Sequence, residues 1–113
     1  MDEVLERRVP KREIAARNYI ESHGCSPDLL GYNILIKVIL YAADYPDDTS
    51  RNLFERYAGD VGDKSPAGWR THYKRARNCF LKSDMGDREK FFTFIKRGAA
   101  ELVYGNEGKA VVS

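Results

Sequence analysis

Between Lys64 and Lys82 the chain carries six basic residues (Lys64, Arg70, Lys74, Arg75, Arg77 and Lys82) and no acidic one. Cations gathered this way along one segment are suited above all to holding phosphate. At about 100° per residue, Trp69, Tyr73, Ala76 and Phe80 fall on one helical face, and Ala67, Thr71, Lys74 and Asn78 fall on the opposite one. Arg70 and Arg77 flank that polar strip on one side, Arg75 and Lys82 on the other. One face is therefore an anchor, and the other a strip bordered by cations. Thr, Asn and Lys side chains reach base edges in a major groove, while flanking Arg and Lys neutralise phosphates. Ser65-Pro66 marks the expected helix start, because Ser caps a free N–H and Pro suits the first helical position. The small Ala67 and Gly68 would let the helix N-terminus, itself attractive to phosphate, approach a duplex closely. The candidate DNA contacts are Lys64, Ser65, Ala67, Gly68, Arg70, Thr71, Lys74, Arg75, Arg77 and Asn78. A basic helix face can also be merely solvated; the helix-turn pattern ahead of this one favours contact.

Other chemistry has little support. His23 ends a helix beside Gly24, where histidine suits the negative helix end. His72 borders the core side of the basic helix and reads as a packing or phosphate-contact residue. No His/Cys/Asp group has metal spacing, and Gly59-x-x-Gly62 lacks the Gly-Lys-Ser/Thr that completes a phosphate loop. Asp44, Asp47 and Asp48 read as an exposed turn without EF-hand spacing. Most aromatics fall on apolar stripes, which argues against stacking platforms for single strands. No catalytic residue, metal or cofactor is expected, and no small-molecule substrate.

The elements that must carry the basic strip read as helices throughout, and no segment shows strand alternation. The length of 113 residues suits one domain with its own core. The net charge is +2, so with +6 on the basic segment the remainder is net −4. Cys25 and Cys79 read as two free thiols of a reducing compartment. Met1-Asp2-Glu3 is not a basic leader start, and the longest apolar run, Ile34 to Ala43, is interrupted by Lys37 and too short for a bilayer. The expectation is a cytoplasmic protein with no membrane partner.

A first helix is expected over Lys11–His23, stopped by Gly24, with Ile14, Ala15, Asn18, Tyr19 and Ser22 inward. Ser26-Pro27 is expected to open a second helix running to about Asp44. Its polar Asn33, Lys37 and Asp44 make one thin stripe, which marks a central buried helix. A short helix over about Ser50–Gly59 (Leu53, Phe54, Tyr57 and Ala58 inward) and a glycine-bearing turn then lead into the basic helix, a helix-turn-helix order. A last helix to about Val103 carries Phe91, Phe92, Ile95, Ala99 and Leu102 inward. Residues 1–10 and 105–113 are expected to fray. The expected fold is all-α: a compact bundle of about five to six helices containing a helix-turn-helix.

Over about Lys11 to Val103 this order resembles the C-terminal DNA-binding effector domain of the response regulator that initiates sporulation in endospore-forming bacteria. The motifs that carry the resemblance are an Ile14-to-Ile20 helix ending in Gly24, Gly31-Tyr32-Asn33-Ile34-Leu35-Ile36, and Leu53-Phe54-Glu55-Arg56-Tyr57-Ala58. The last is similar to the family's Leu-Tyr-Pro-x-Ile-Ala scaffold helix, and a basic helix and a Phe/Ile-rich helix follow in the family's order. The resemblance implies a helical bundle that binds short promoter boxes, as a homodimer or in tandem, to regulate transcription. It also implies a stand-alone effector, because family members usually carry a phosphoacceptor domain for which this chain has no room. Where the family shows Ser-Arg-Val-Glu-Arg, this chain reads Ala67-Gly68-Trp69-Arg70-Thr71, and the basic pair one turn later is kept as Lys74-Arg75. DNA binding rather than the family's own target sequence is what the resemblance supports. The alternative expectation is a protein-interaction module on the same bundle, with base reading lost through Gly68 and Thr71.

Overall fold

The computed structural model describes residues 11–105. The fraying expected for 1–10 and 105–113 lies outside the described residues, except for Gly105, which closes the last helical turn. Five α-helices follow one another: α1 Lys11–Ser22, α2 Tyr32–Asp44, α3 Ser50–Asp60, α4 Gly68–Leu81 and α5 Phe91–Ala100. A π-helical turn, Glu101–Gly105, continues α5. No strand occurs among the described residues.

α2 is the hub and packs against all four other helices and the π-turn. It buries Tyr32, Ile34, Leu35, Ile36, Val38, Ile39 and Ala42 and leaves Asn33, Lys37 and Asp44 wet, as its pattern predicts. Each buried aliphatic side chain contributes about 2 kcal/mol of transfer free energy. The helix starts five residues later than Ser26-Pro27 predicts. Ser26 Oγ does accept the Asp28 N–H at 3.2 Å, but this makes a single turn that ends at Gly31. The chain must bend there because Gly31 lies flat on the backbone of α4, where any Cβ would overlap the Arg75 carbonyl oxygen.

α1 ends as expected at Gly24, whose φ of +93° belongs to the left-handed region. The Cys25 N–H bonds to Ile20 O at 3.0 Å and the Gly24 N–H to Glu21 O at 3.0 Å, the paired pattern of a Schellman stop. His23 sits at this stop, with Nδ1 3.0 Å from Asp84 Oδ1. The buried face of α1 is Ala16, Tyr19 and Ile20; Ile14, Asn18 and Ser22 are exposed, against expectation. Tyr19 decides the rotation. Its ring packs on Phe94 at 4.9 Å and its hydroxyl donates to Phe94 O at 2.8 Å, while burial pushes the phenol up to about 12.

α5 buries Phe91, Phe94, Ile95, Gly98 and Ala99, and Leu102 follows in the π-turn. Phe94, absent from the expected face, is fully buried, and Phe92 is only half-buried. The α-helix ends at Ala100 rather than near Val103. Phe80 of α4 stacks between Phe91 at 5.2 Å and Phe94 at 4.9 Å, which ties the basic helix to the core. None of the helices in the described residues is long and apolar enough to cross a membrane.

Candidate nucleic-acid interface

α3 begins with a true cap: Thr49 Oγ1 accepts the Asn52 N–H at 3.2 Å. It ends in a second Schellman stop, with Gly62 at φ +77°, the Asp63 N–H on Ala58 O at 2.8 Å and the Gly62 N–H on Gly59 O at 3.1 Å. That stop throws Asp63 back over the start of α4. Its Oδ1 accepts the Ser65 N–H at 3.0 Å and its Oδ2 lies 3.0 Å from His72 Nε2. Hydrogen bonds from the Ser65 N–H and side chain, then from His72, hold the Asp63 carboxyl below its ordinary value.

This arrangement corrects two expectations. Ser65 does not cap α4: it serves Asp63, and the helix begins three residues later at Gly68 with no side-chain cap. Gly68 is buried rather than offered to a duplex, since a Cβ there would meet Asp63 Oδ1 and Oδ2 at 2.5 Å. The approach to the α4 N-terminus is thus already occupied by a carboxylate of the chain itself, which suits the positive helix end. His72 is drawn into this knot and stacks edge-on against Tyr57 at 5.0 Å.

The inner face of α4 carries Ala76, Cys79 and Phe80 in the core, with Trp69 and Tyr73 packed at its edge. Arg70, Thr71, Lys74, Arg75, Arg77 and Asn78 are all exposed on the outer face, and Lys64, Ser65 and Ala67 are exposed in the preceding turn. Five of the outer residues (Arg70, Lys74, Arg75, Arg77 and Asn78) line one open groove of about 1040 Å³. Ser50 and Arg51, from the first turn of α3, close its other side. Trp69 and Tyr73 form its apolar wall, and the Arg51 and Arg70 guanidiniums lie 5.3 and 5.6 Å from the Trp69 ring. Arg51 is a residue that the sequence reading missed. Its only local signal is a cation in the first turn of a helix, where the dipole disfavours one.

Among the described residues, ion pairing separates the arginines of α4 from most of the other arginines. Arg12, Arg17, Arg51, Arg56 and Arg97 each hold a carboxylate, with Asp44, Glu13, Glu55, Asp48 and Glu89 respectively. Arg70, Lys74, Arg75, Arg77 and Lys82 hold none among the described residues. No acidic side chain among the described residues lines the groove. The described residues contain no group of three or more His, Cys, Asp and Glu placed to hold a metal ion. The chain matches no protein-family model, no curated protein and no solved structure.

Proposed function

We propose that the chain binds double-stranded DNA through the outer face of α4, as a transcription regulator of the kind its motif order resembles. The observation that carries this reading is the set of unpaired cations. Among the described residues, where the other arginines mostly find carboxylates, α4 keeps Arg70, Lys74, Arg75 and Arg77 exposed and unmatched. Such a face gains most from a polyanion, because each neutralised phosphate releases condensed counterions. Thr71, Lys74 and Asn78 lie along the middle of the strip, where they would meet base edges if α4 entered a major groove. In this reading Arg51 reaches phosphate across the groove wall. Its bridge to Glu55 is exposed and contributes little, so exchanging it costs under about 1 kcal/mol.

The test is binding to random duplexes as salt is varied. Log K should fall against log salt with a slope of about −4 to −5, as expected for four to six phosphate contacts. Reversal of two cations, Lys74→Glu with Arg77→Glu, should abolish binding while the helical circular dichroism stays unchanged. Absence of duplex binding by the wild type at low salt would end this reading. It would leave the bundle as a protein-interaction module.

A further inference from the structure

Cys25 and Cys79 stand 54 positions apart in sequence, yet the fold brings them into contact. Both are free, and both are buried, at 3% and 1% exposure. The Cys25 thiol donates toward the Cys79 carbonyl oxygen at 3.9 Å. The segments that carry them are clamped together on either side. The Asp84 N–H bonds to His23 O at 2.8 Å on one side, and Gly31 is pressed on the backbone of Arg75 and Ala76 on the other. The thiols are therefore held in register by the fold and do not meet by chance.

The two sulfurs are not equivalent. Cys79, though 1% exposed, lines a surface cavity of about 270 Å³ together with Arg75 and Lys82, the side from which a small neutral oxidant would approach it. The neighbouring Cys25 thiol, with the nearby charge of Lys82, pulls the Cys79 thiol below its ordinary value against the effect of burial. The same neighbour and burial push Cys25 up. The member that lines the cavity beside Lys82 is thus the one placed to meet an oxidant.

We propose that Cys79 is a hydroperoxide-reactive nucleophile and Cys25 its resolving thiol. In the first step the Cys79 thiolate attacks the near oxygen of hydrogen peroxide. The S–O bond forms as the O–O bond breaks, hydroxide leaves and takes up a proton as water, and Cys79 becomes a sulfenic acid. In the second step the Cys25 sulfur attacks the Cys79 sulfur, the S–O bond breaks and a second water leaves. The peroxide is reduced and two thiols become one disulfide, which a dithiol reductant reverses by exchange. The product ties the connector after α1 to α4, beside Arg75 and Asn78.

The experiment treats the reduced, full-length chain with hydrogen peroxide and follows thiols by alkylation after denaturation and by intact mass. The expected result is loss of both alkylatable thiols and a mass decrease of two hydrogen atoms. Proteolysis should yield a cross-linked Cys25–Cys79 peptide from monomeric protein, and dithiothreitol should restore both thiols. In Cys25→Ala a 1,3-diketone should trap a sulfenic acid at Cys79, whereas in Cys79→Ala the same peroxide should leave Cys25 reduced. Persistence of both free thiols in the wild type overturns the proposal, as does a disulfide formed only between molecules. A diketone adduct on Cys25 instead of Cys79 overturns the assigned roles. The wild-type arm decides the outcome even if a variant fails to fold, and none of these readouts depends on DNA.

Discussion

His72 lies over the start of α4 with Nε2 3.0 Å from Asp63 Oδ2, so the residue that begins the turn and one in the second turn of the basic helix are held by one contact. With the ionised carboxylate as acceptor, the imidazole N–H donates. This contact fixes how α4 leaves α3, and so where the cationic face points relative to Arg51.

Asp63 should make stability depend on acid in a defined direction. Its native carboxyl lies below the ordinary 3.8, chiefly through the Ser65 N–H, so the unfolded chain takes up the proton first. The stabilisation is complete above the ordinary value and is lost as pH falls through the lowered native one. The melting-temperature gap between wild type and Asp63→Asn should hold steady down to about pH 5 and close by about pH 2. A gap unchanged at the acid end would show that the ionised carboxylate contributes nothing.

Gly31→Ala should destabilise the protein by at least about 2 kcal/mol in urea unfolding, the range for forcing atoms into a packed interior. The added methyl meets the Arg75 carbonyl, part of a helical backbone that cannot swing aside. Gly59→Ala is the control, because nothing lies within 4 Å of its Cβ position. That substitution should be neutral or slightly stabilising, since Ala is the better helix former.

Arg51→Ala should weaken duplex binding uniformly across sequences and reduce the salt slope by about 1. Asn78→Ala should do the opposite in kind, relaxing base preference while leaving the slope intact. Equal salt slopes for Arg51→Ala and wild type would restrict the interface to α4 alone.

Phe80→Ala should cost about 3–5 kcal/mol, since the ring is buried between Phe91 and Phe94. Thermal unfolding monitored by circular dichroism measures it. Leu81→Ala, one position on and exposed at the groove edge, should change stability by no more than about 0.5 kcal/mol.

The all-helical fold, the order of the helices, the thin wet stripe of α2 and the glycine stop after α1 were all legible from residue spacing. So was the division of α4 into an anchor face through Ala76 and Phe80 and a cationic face through Arg70, Lys74 and Arg77. These are properties of a chain wound at 3.6 residues per turn, and they depend only on near neighbours. The inward face of α1 was misread because its apolar residues make two overlapping short stripes, and only contact with Phe94 chooses between them.

What the sequence determined by itself was therefore local: five helices, one of them with a cationic face. The tertiary structure decided whatever depends on distance between remote residues. It delayed the start of α2 because Gly31 had to lie against Arg75, and it buried Gly68 beneath Asp63. It set Arg51 on the groove with Arg70, left the cations of α4 without carboxylates among the described residues, and brought Cys25 against Cys79. Charge and periodicity are written along the chain, but which groups can reach each other is a matter of packing, and packing exists only once the helices have met.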